Sequence, residues 1–211
     1  MDLNEILSVG LKSEASDIHL KVGLPPIYRI DGTLRPLPKA PRVSPEQTEQ
    51  ITEDIMNDLQ RERFEKAGEV DLAYGVPGLG RFRVNAFTQR GSVSLVFRAI
   101  PFDIKGLEDL LLPPVIKKMA MASRGLILVT GATGSGKSTT LAAIIDYINA
   151  NRKSHIVTIE DPIEFLHRDK KSIINQREVG SDTEGFQTAL KSALRQDPDV
   201  ILVGEMRDHE T

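Results

Sequence analysis

The chain has 211 residues, a length that allows one large hydrophobic core or two modest ones. Its composition, 40% hydrophobic and 27% charged, is typical of a folded globular protein and excludes the sparse apolar pattern of a disordered chain. A formal net charge of −3 gives no overall electrostatic reason to bind DNA or RNA, so no nucleic-acid partner is expected. The absence of cysteine excludes disulfides, thiolate zinc sites and a cysteine nucleophile.

The N-terminal residues, Met1 to Ile6, are acidic, and no signal-type apolar core follows them, which argues against export. No apolar run approaches the roughly 20 residues that would span a bilayer. We therefore expect a cytoplasmic protein without direct membrane insertion, which reaches a membrane only through a partner.

The first hundred residues have the pattern of a mixed α+β domain. Leucine and isoleucine recur at helical spacing from Leu3 to Leu11, which predicts an amphipathic helix. Two short β-rich runs flank Asp31-Gly32, a dipeptide suited to the tight turn of a hairpin. Further strands are predicted where β-rich runs are separated by glycine and proline. These strands are residues 70–74, 81–88 and 92–100.

A further helix is predicted to begin at Ser44. Its hydroxyl can cap the helix, proline follows at the first helical position, and Gln47 completes a capping-box pattern. Gly68 is the predicted end of this helical stretch. Helices and an antiparallel sheet together predict a compact N-terminal domain over residues 1–100.

The pattern changes after a predicted linker at residues 101–112. From residue 113 to 211, short unbroken apolar runs alternate with a helical pattern at 138–148. Such unbroken runs, rich in β-branched residues, are typical of strands that are buried on both faces. The predicted strands are residues 126–129, 156–159 and 200–203. This alternation predicts an α/β domain with a parallel sheet covered by helices.

A phosphate-binding loop runs from Gly131 to Ser138, between the first predicted strand and the helix. Its glycines allow backbone N–H groups to turn toward phosphate oxygens, Lys137 can neutralise the β and γ phosphates, and Ser138 offers a hydroxyl to Mg²⁺. A purely structural glycine turn would not require Lys-Ser at this spacing. The predicted nucleotide-binding residues are Thr133, Gly134, Ser135, Gly136, Lys137, Ser138 and Thr139.

Hydrolysis also needs a group that activates water, and carboxylates at the ends of neighbouring strands are the candidates. Glu160, Asp161 and Glu164 follow the strand at 156–159, and Glu205 follows the strand at 200–203. One acid could hold Mg²⁺ through water while another polarises the attacking water. The alternative for any single acid is a loop cap or a surface ion pair.

Arginines often complete phosphoryl transfer by reaching the γ phosphate from a neighbouring domain or subunit. Arg81 and Arg83 alternate on a predicted N-terminal strand, which places both on one face and favours a shared anionic target. A solvated or surface-paired role is the alternative for each.

These motifs together resemble the secretion and pilus ATPase superfamily, and most of all the PilT-like retraction ATPases of type IV pili. The similarity covers essentially the whole chain. Besides the phosphate loop, it rests on residues 15–20, 25–32, 81–85, 158–165 and 204–208.

The resemblance implies a PAS-like N-terminal domain, a RecA-like core, bound ATP and Mg²⁺, and a homohexameric ring. It implies that Glu164 is the general base, that Glu205 is the Walker B acid, and that Arg81 and Arg83 sense the γ phosphate. An inner-membrane pilus platform protein is the implied partner, and pilus retraction is the implied activity. The lack of cysteine agrees with this, because extension ATPases usually carry a tetracysteine motif.

One departure from the family pattern is that the family continues beyond Thr211 into a histidine box, so we expect this chain to be truncated after its Walker B strand. Two alternatives therefore stay open besides a retraction motor. One is a motor for type II secretion or pilus extension, and the other is a nucleotide-binding module without turnover. A GTPase is disfavoured because an Asn-Lys-x-Asp motif is absent.

Overall fold

A computed structural model describes residues 2–101 and 103–206. The chain divides into two compact units, residues 1–100 and 101–211. The last two residues of the motif at 204–208 lie outside the described residues. Within the described part of the chain, no helix is long and apolar enough to cross a lipid bilayer.

The first unit is a six-stranded antiparallel sheet with helices on one face. Its helices are α1 (Leu3–Lys12), α2 (Pro45–Ile55) and α3 (Asp58–Ala67). Its strands are β1 (Asp17–Lys21), β2 (Ile27–Ile30), β3 (Thr33–Pro36), β4 (Glu69–Val76), β5 (Gly80–Gln89) and β6 (Ser92–Ile100). Across the sheet the strands follow the order β3-β2-β1-β6-β5-β4.

The predicted first helix and hairpin are confirmed. Leu3, Ile6 and Leu7 are buried on one face of α1. Asp31 and Gly32 join β2 to β3 with φ angles of 49° and 76°, the left-handed conformation that a tight type I′ turn requires.

The single helical stretch predicted from Ser44 to Gly68 is in fact two helices. The capping box of Ser44 and Gln47 starts α2 as predicted, and α3 ends at Gly68 with φ of 76°. Between them, Asn57 and Gln60 form a second capping box, because the Asn57 side chain accepts from the Gln60 N–H at 2.9 Å. An asparagine that can satisfy the free N–H groups of a new helix favours a restart over continuation.

The core of the first unit lies between the sheet and the helices. Phe82 and Phe97 are fully buried there, with ring centroids 6.4 Å apart in an edge-to-face arrangement.

On the other face of the sheet, Asp17 lies between Arg29 and Arg98 on the adjacent strands and accepts from Arg98 Nε at 2.8 Å. Burial alone would raise the pKa of Asp17, but hydrogen bonds from Arg98 and Ser16 outweigh it and lower that pKa.

The second unit contains a three-stranded, fully parallel sheet, as the alternating pattern predicted. Its helices are α4 (Val115–Ala120), α5 (Lys137–Asn151) and α6 (Phe186–Ala193), and its strands are β7 (His155–Glu160), β8 (Ile173–Glu178) and β9 (Val200–Val203). The strand order is β8-β7-β9. The central strand β7 is buried from Ile156 to Ile159, which explains its unbroken apolar sequence.

Residues 101–112, predicted as a linker, belong to the second unit. Leu107 is only 5% exposed and packs with Ile144 and Ile148 of α5.

The strand predicted at residues 126–129 is wrong, since the segment forms no strand ladder. Leu126 and Leu128 are 82% and 59% exposed. An apolar β-rich run becomes a strand only when a neighbouring strand pairs with its backbone, and within residues 2–101 and 103–206 no strand pairs with it.

Candidate nucleotide-binding site

The loop from Gly131 to Ser138 leads into α5 through glycines whose backbone conformations are sterically unfavourable for most other residues. Gly134 and Gly136 have φ of 78° and 90°, in the left-handed region that glycine enters without steric cost. Gly136 is the N-cap of α5, so the helix begins at Lys137 with its free backbone N–H groups at the loop. A helix N-terminus of this kind attracts anions.

The Lys137 side chain stabilises this loop from within. Lys137 Nζ donates to the carbonyl oxygens of Gly131 and Ala132, both at 3.0 Å. A Cβ added at Gly131 would lie 2.6 Å from Ser135 Oγ, so the loop is too tight for a side chain there. The ammonium group therefore lies along its own loop, at the N-terminal end of α5.

A cavity of about 440 Å³ brings this loop together with the predicted acids. From the loop and helix, the lining residues include Thr133, Gly134, Gly136, Lys137, Ser138 and Thr139. The acids that line it are Glu160, Asp161, Glu164 and Glu205. Ser135, also predicted to bind nucleotide, is exposed on the loop beside Gly131. The carboxyl ends of β7 and β9 supply the acids, which is where parallel sheets place ligand sites.

Glu160, the last residue of β7, has the most perturbed carboxyl group of this cavity. Burial raises the pKa of Glu160 above its ordinary value. Hydrogen bonds to its carboxylate act in the opposite direction: Thr158 Oγ1 donates to Glu160 Oε1 at 2.6 Å, and Gln176 Nε2 donates to the same oxygen at 3.1 Å. A perturbed carboxyl group in a cleft is typical of functional sites.

The segment that carries Glu164 is held by side chains of β8. Glu178 Oε2 accepts from the Ile163 N–H at 3.0 Å. Gln176 accepts from the His167 N–H at 2.8 Å and donates to the Phe165 carbonyl oxygen at 2.9 Å. The backbone on both sides of Glu164 is thereby fixed to the sheet.

Helix α5 holds the end of the same segment through Asn149. This fully buried side chain donates to the Arg168 carbonyl oxygen at 2.8 Å and accepts from the Lys170 N–H at 3.0 Å. Lys170 also pairs with Asp146 of α5 at 2.6 Å. The helix that starts at the phosphate loop therefore supports the acidic segment as well.

Glu205 follows β9 and is separated from it by Gly204. Related strands often have an aspartate at the position of this glycine. A Cβ at Gly204 would lie 3.2 Å from the Ile159 carbonyl oxygen and 3.3 Å from Glu160 Cα. The Gly204 N–H donates to that same carbonyl oxygen at 2.8 Å. Glycine therefore lets β9 approach the end of β7 closely, which places Glu205 on the cavity.

The donors around the cavity suit a hard cation. Ser138 offers a hydroxyl oxygen and Glu205 a carboxylate, the ligand types that Mg²⁺ prefers, and Mg²⁺ usually takes its remaining ligands from water and phosphate. Within residues 2–101 and 103–206 no cluster of three histidine or acidic side chains could hold a metal alone. The residues thus fit a nucleotide-borne Mg²⁺.

Arg81 and Arg83 lie in the first unit, on β5, at positions that share one face of the sheet. Arg83 pairs with Asp71 of β4 at 3.6 Å. Their predicted contact with the γ phosphate stays a prediction.

Comparison with known proteins identifies the family. The model of the type II/IV secretion system protein family matches residues 1–211. The chain belongs to this family. It is 54% identical over its full length to the type IV pilus retraction ATPase PilT of Pseudomonas aeruginosa, of which it covers 61%. It is also 52% identical over 88% of its length to a twitching motility protein of Neisseria gonorrhoeae, of which it covers 50%.

A solved structure of this family has the same fold. The pilus retraction motor PilT with bound ADP superposes with a TM-score of 0.90 at 51% identity, covering all of this chain and 62% of that one. The α/β prediction is confirmed, and the parallel sheet is consistent with a RecA-like core. The chain spans about three fifths of the length of this structure and of the Pseudomonas relative.

Sequence reasoning missed Gln176, Glu178 and Asn149. Strand β8 has no apolar face and lies at the edge of the sheet, so neither periodicity nor β propensity marks it. Asn149 is a polar residue next to Ile148, near the end of a helix with a run of buried apolar residues, and this was the available signal.

Proposed function

We propose that this chain binds and hydrolyses ATP as the motor subunit that retracts type IV pili. The observation that carries the proposal is the cavity in which the phosphate loop and the acids of two strands meet. A phosphate loop alone supports nucleotide binding. Adjacent carboxylates add the means to orient and activate water.

In this proposal, the backbone N–H groups from Thr133 to Thr139 bind the α and β phosphates. Lys137 moves its hydrogen bonds from the carbonyls of its own loop to the β and γ phosphates, exchanging partial charges for full ones. Ser138 and Glu205 hold Mg²⁺, directly or through water, and Mg²⁺ supplies charge neutralisation at the phosphates.

Glu164 is proposed as the general base, which accepts a proton from the water that attacks the γ phosphate. Arg81 and Arg83 are proposed to supply positive charge to the γ phosphate. Glu160 is half-buried, and its carboxylate already accepts from Thr158 and Gln176, so it shapes the site instead of exchanging protons with the substrate.

The motor role is supported by the similarity to PilT and to a twitching motility protein. By the same resemblance we propose a homohexamer in the cytoplasm that acts on a platform protein of the inner membrane. Identity to a type II secretion protein E of Aeromonas hydrophila is lower, at 35%. This difference favours pilus retraction over secretion as the motor's task.

Two measurements test the proposal. Phosphate release from Mg-ATP by the intact protein should be abolished by Lys137→Ala, and the same substitution in the host should leave cells with surface pili but without retraction. If Lys137→Ala abolishes phosphate release but leaves pili and their retraction unchanged, the secretion alternative is favoured, and if it removes surface pili, the extension alternative is favoured. Tight ATP binding without phosphate release would point to a nucleotide-binding module.

A further inference from the structure

We propose that Gln176 and Glu178 are positioning residues that set the place of the Glu164 carboxylate by holding the backbone on both sides of it. The inference deepens the proposed function and rests on the role of Glu164 given there. It concerns two residues outside the set that lines the cavity.

Both residues project from the same face of β8. They are two apart, and side chains at this spacing lie on one side of a strand. In the parallel register, Gln176 lies beside Thr158 and Glu178 beside Glu160. The two side chains therefore reach the segment that leaves β7 directly after Glu160.

Glu178 holds the residue before Glu164. Its Oε2 accepts from the Ile163 N–H at 3.0 Å in a buried environment, where the residue is 4% exposed. Ser181 Oγ donates to its other oxygen at 3.4 Å. A charge-assisted hydrogen bond in a buried place fixes the backbone more firmly than a neutral, hydrated one.

Gln176 holds the residues after Glu164. Its amide oxygen accepts from His167, while its Nε2 donates both to the Phe165 carbonyl oxygen and to Glu160. One side chain thus uses both ends of its amide on the same segment. A glutamate at position 176 could still accept a hydrogen bond through a carboxylate oxygen, but an ionised glutamate has no N–H that could replace the Nε2 donor.

Fixing the backbone on both sides of a general base matters because displacement of a reacting group by about 1 Å can lower a rate about 100-fold. A base that moves with a free loop would sample many positions. Anchoring residues 163, 165 and 167 to the sheet removes that freedom before the nucleotide binds.

Asn175 provides a matched control. It lies on β8 between the two positioning residues, on the opposite face, and its amide contacts His155 Nε2 at 2.8 Å. Asn175→Ala removes an amide hydrogen bond from the same strand without touching the Glu164 segment. Glu178→Gln is the conservative variant, because its amide oxygen can still accept from Ile163.

The first test is steady-state hydrolysis of Mg-ATP by the intact protein. We expect Gln176→Ala and Glu178→Ala each to lower kcat by about tenfold or more, with KM for ATP changed by less than about twofold. Asn175→Ala should leave both constants near wild type, and Glu178→Gln should recover most of kcat. Loss of kcat in Asn175→Ala equal to that in Gln176→Ala would overturn the proposal.

A double-mutant cycle separates positioning from general stability. If Gln176 acts through Glu164, adding Gln176→Ala to Glu164→Ala should lower kcat no further. An undiminished further loss would show a merely structural role. If Glu164→Ala alone leaves kcat unchanged, the general-base assignment fails instead, and the two failures are thereby distinguished.

Amide hydrogen exchange gives a readout that needs no turnover. Gln176→Ala should speed exchange at His167 while Ile163 stays protected, and Glu178→Ala should do the reverse. Unchanged protection of both amides in both variants would overturn the proposal.

Discussion

Lys137 Nζ lies 3.0 Å from the carbonyl oxygen of Gly131, six residues earlier in the same loop. A second carbonyl, that of Ala132, accepts from the same ammonium group at 3.0 Å. The lysine is thus held at the start of α5 by neutral acceptors that charged phosphate oxygens can replace. The loop and its cation are arranged together by local hydrogen bonds.

Lys137→Ala should weaken ATP binding by about 10- to 100-fold, the range expected for loss of a charge-assisted hydrogen bond of about 1.5–3 kcal/mol. Equilibrium binding of a fluorescent ATP analogue measures this. Lys153→Ala, which removes an exposed lysine outside the loop, is the control and should bind normally. Equal affinity of wild type and Lys137→Ala would contradict the assignment of the loop.

Glu160→Gln tests the half-buried carboxyl group at the end of β7. Burial raises its pKa in the folded state, so the folded chain takes up this proton more readily than the unfolded chain. The stability of wild type relative to Glu160→Gln should be greatest below the unfolded pKa, near 4.5, and should decline as pH rises through the folded value. Urea unfolding of both proteins across this window measures the difference, and a difference independent of pH would refute the prediction.

Arg98→Ala tests the ion pair between Arg98 and Asp17 in the first unit. Asp17 is 6% exposed and loses its 2.8 Å partner in this variant, whereas the arginine side chain is 67% exposed and so is partly screened by water. We expect a loss of about 1 kcal/mol in unfolding free energy. Arg35→Ala, at an exposed position of β3, should cost less in the same unfolding experiment. Equal losses would show that the pair adds no stability.

Local signals in the sequence predicted much of the fold. Asp31-Gly32 specifies its turn, Ser44 and Gln47 specify a helix start, and the glycines of the phosphate loop specify its geometry, because each of these depends on a few adjacent residues. For the same reason, Glu164 and Glu205 could be placed at strand ends from the sequence alone.

What the sequence could not predict depends on contacts between distant residues. The run at 126–129 has strand composition but lacks a pairing strand within the described residues. The anchors at Gln176 and Glu178 act on residues 163–167, and nothing in their own neighbourhood of the chain marks that contact. Asn57 is a local signal for the start of α3, but it lies within a long helical pattern that predicts one continuous helix.

Glu164→Gln in the intact protein, assayed for ATP binding and for phosphate release in the same samples, tests whether this cavity hydrolyses ATP. Glutamine keeps the size of the side chain but cannot accept a proton at neutral pH. We predict that ATP affinity stays within about twofold of wild type while phosphate release falls by about 100-fold or more. Phosphate release at the wild-type rate would contradict the assignment of Glu164 as the base and of this cavity as the catalytic site.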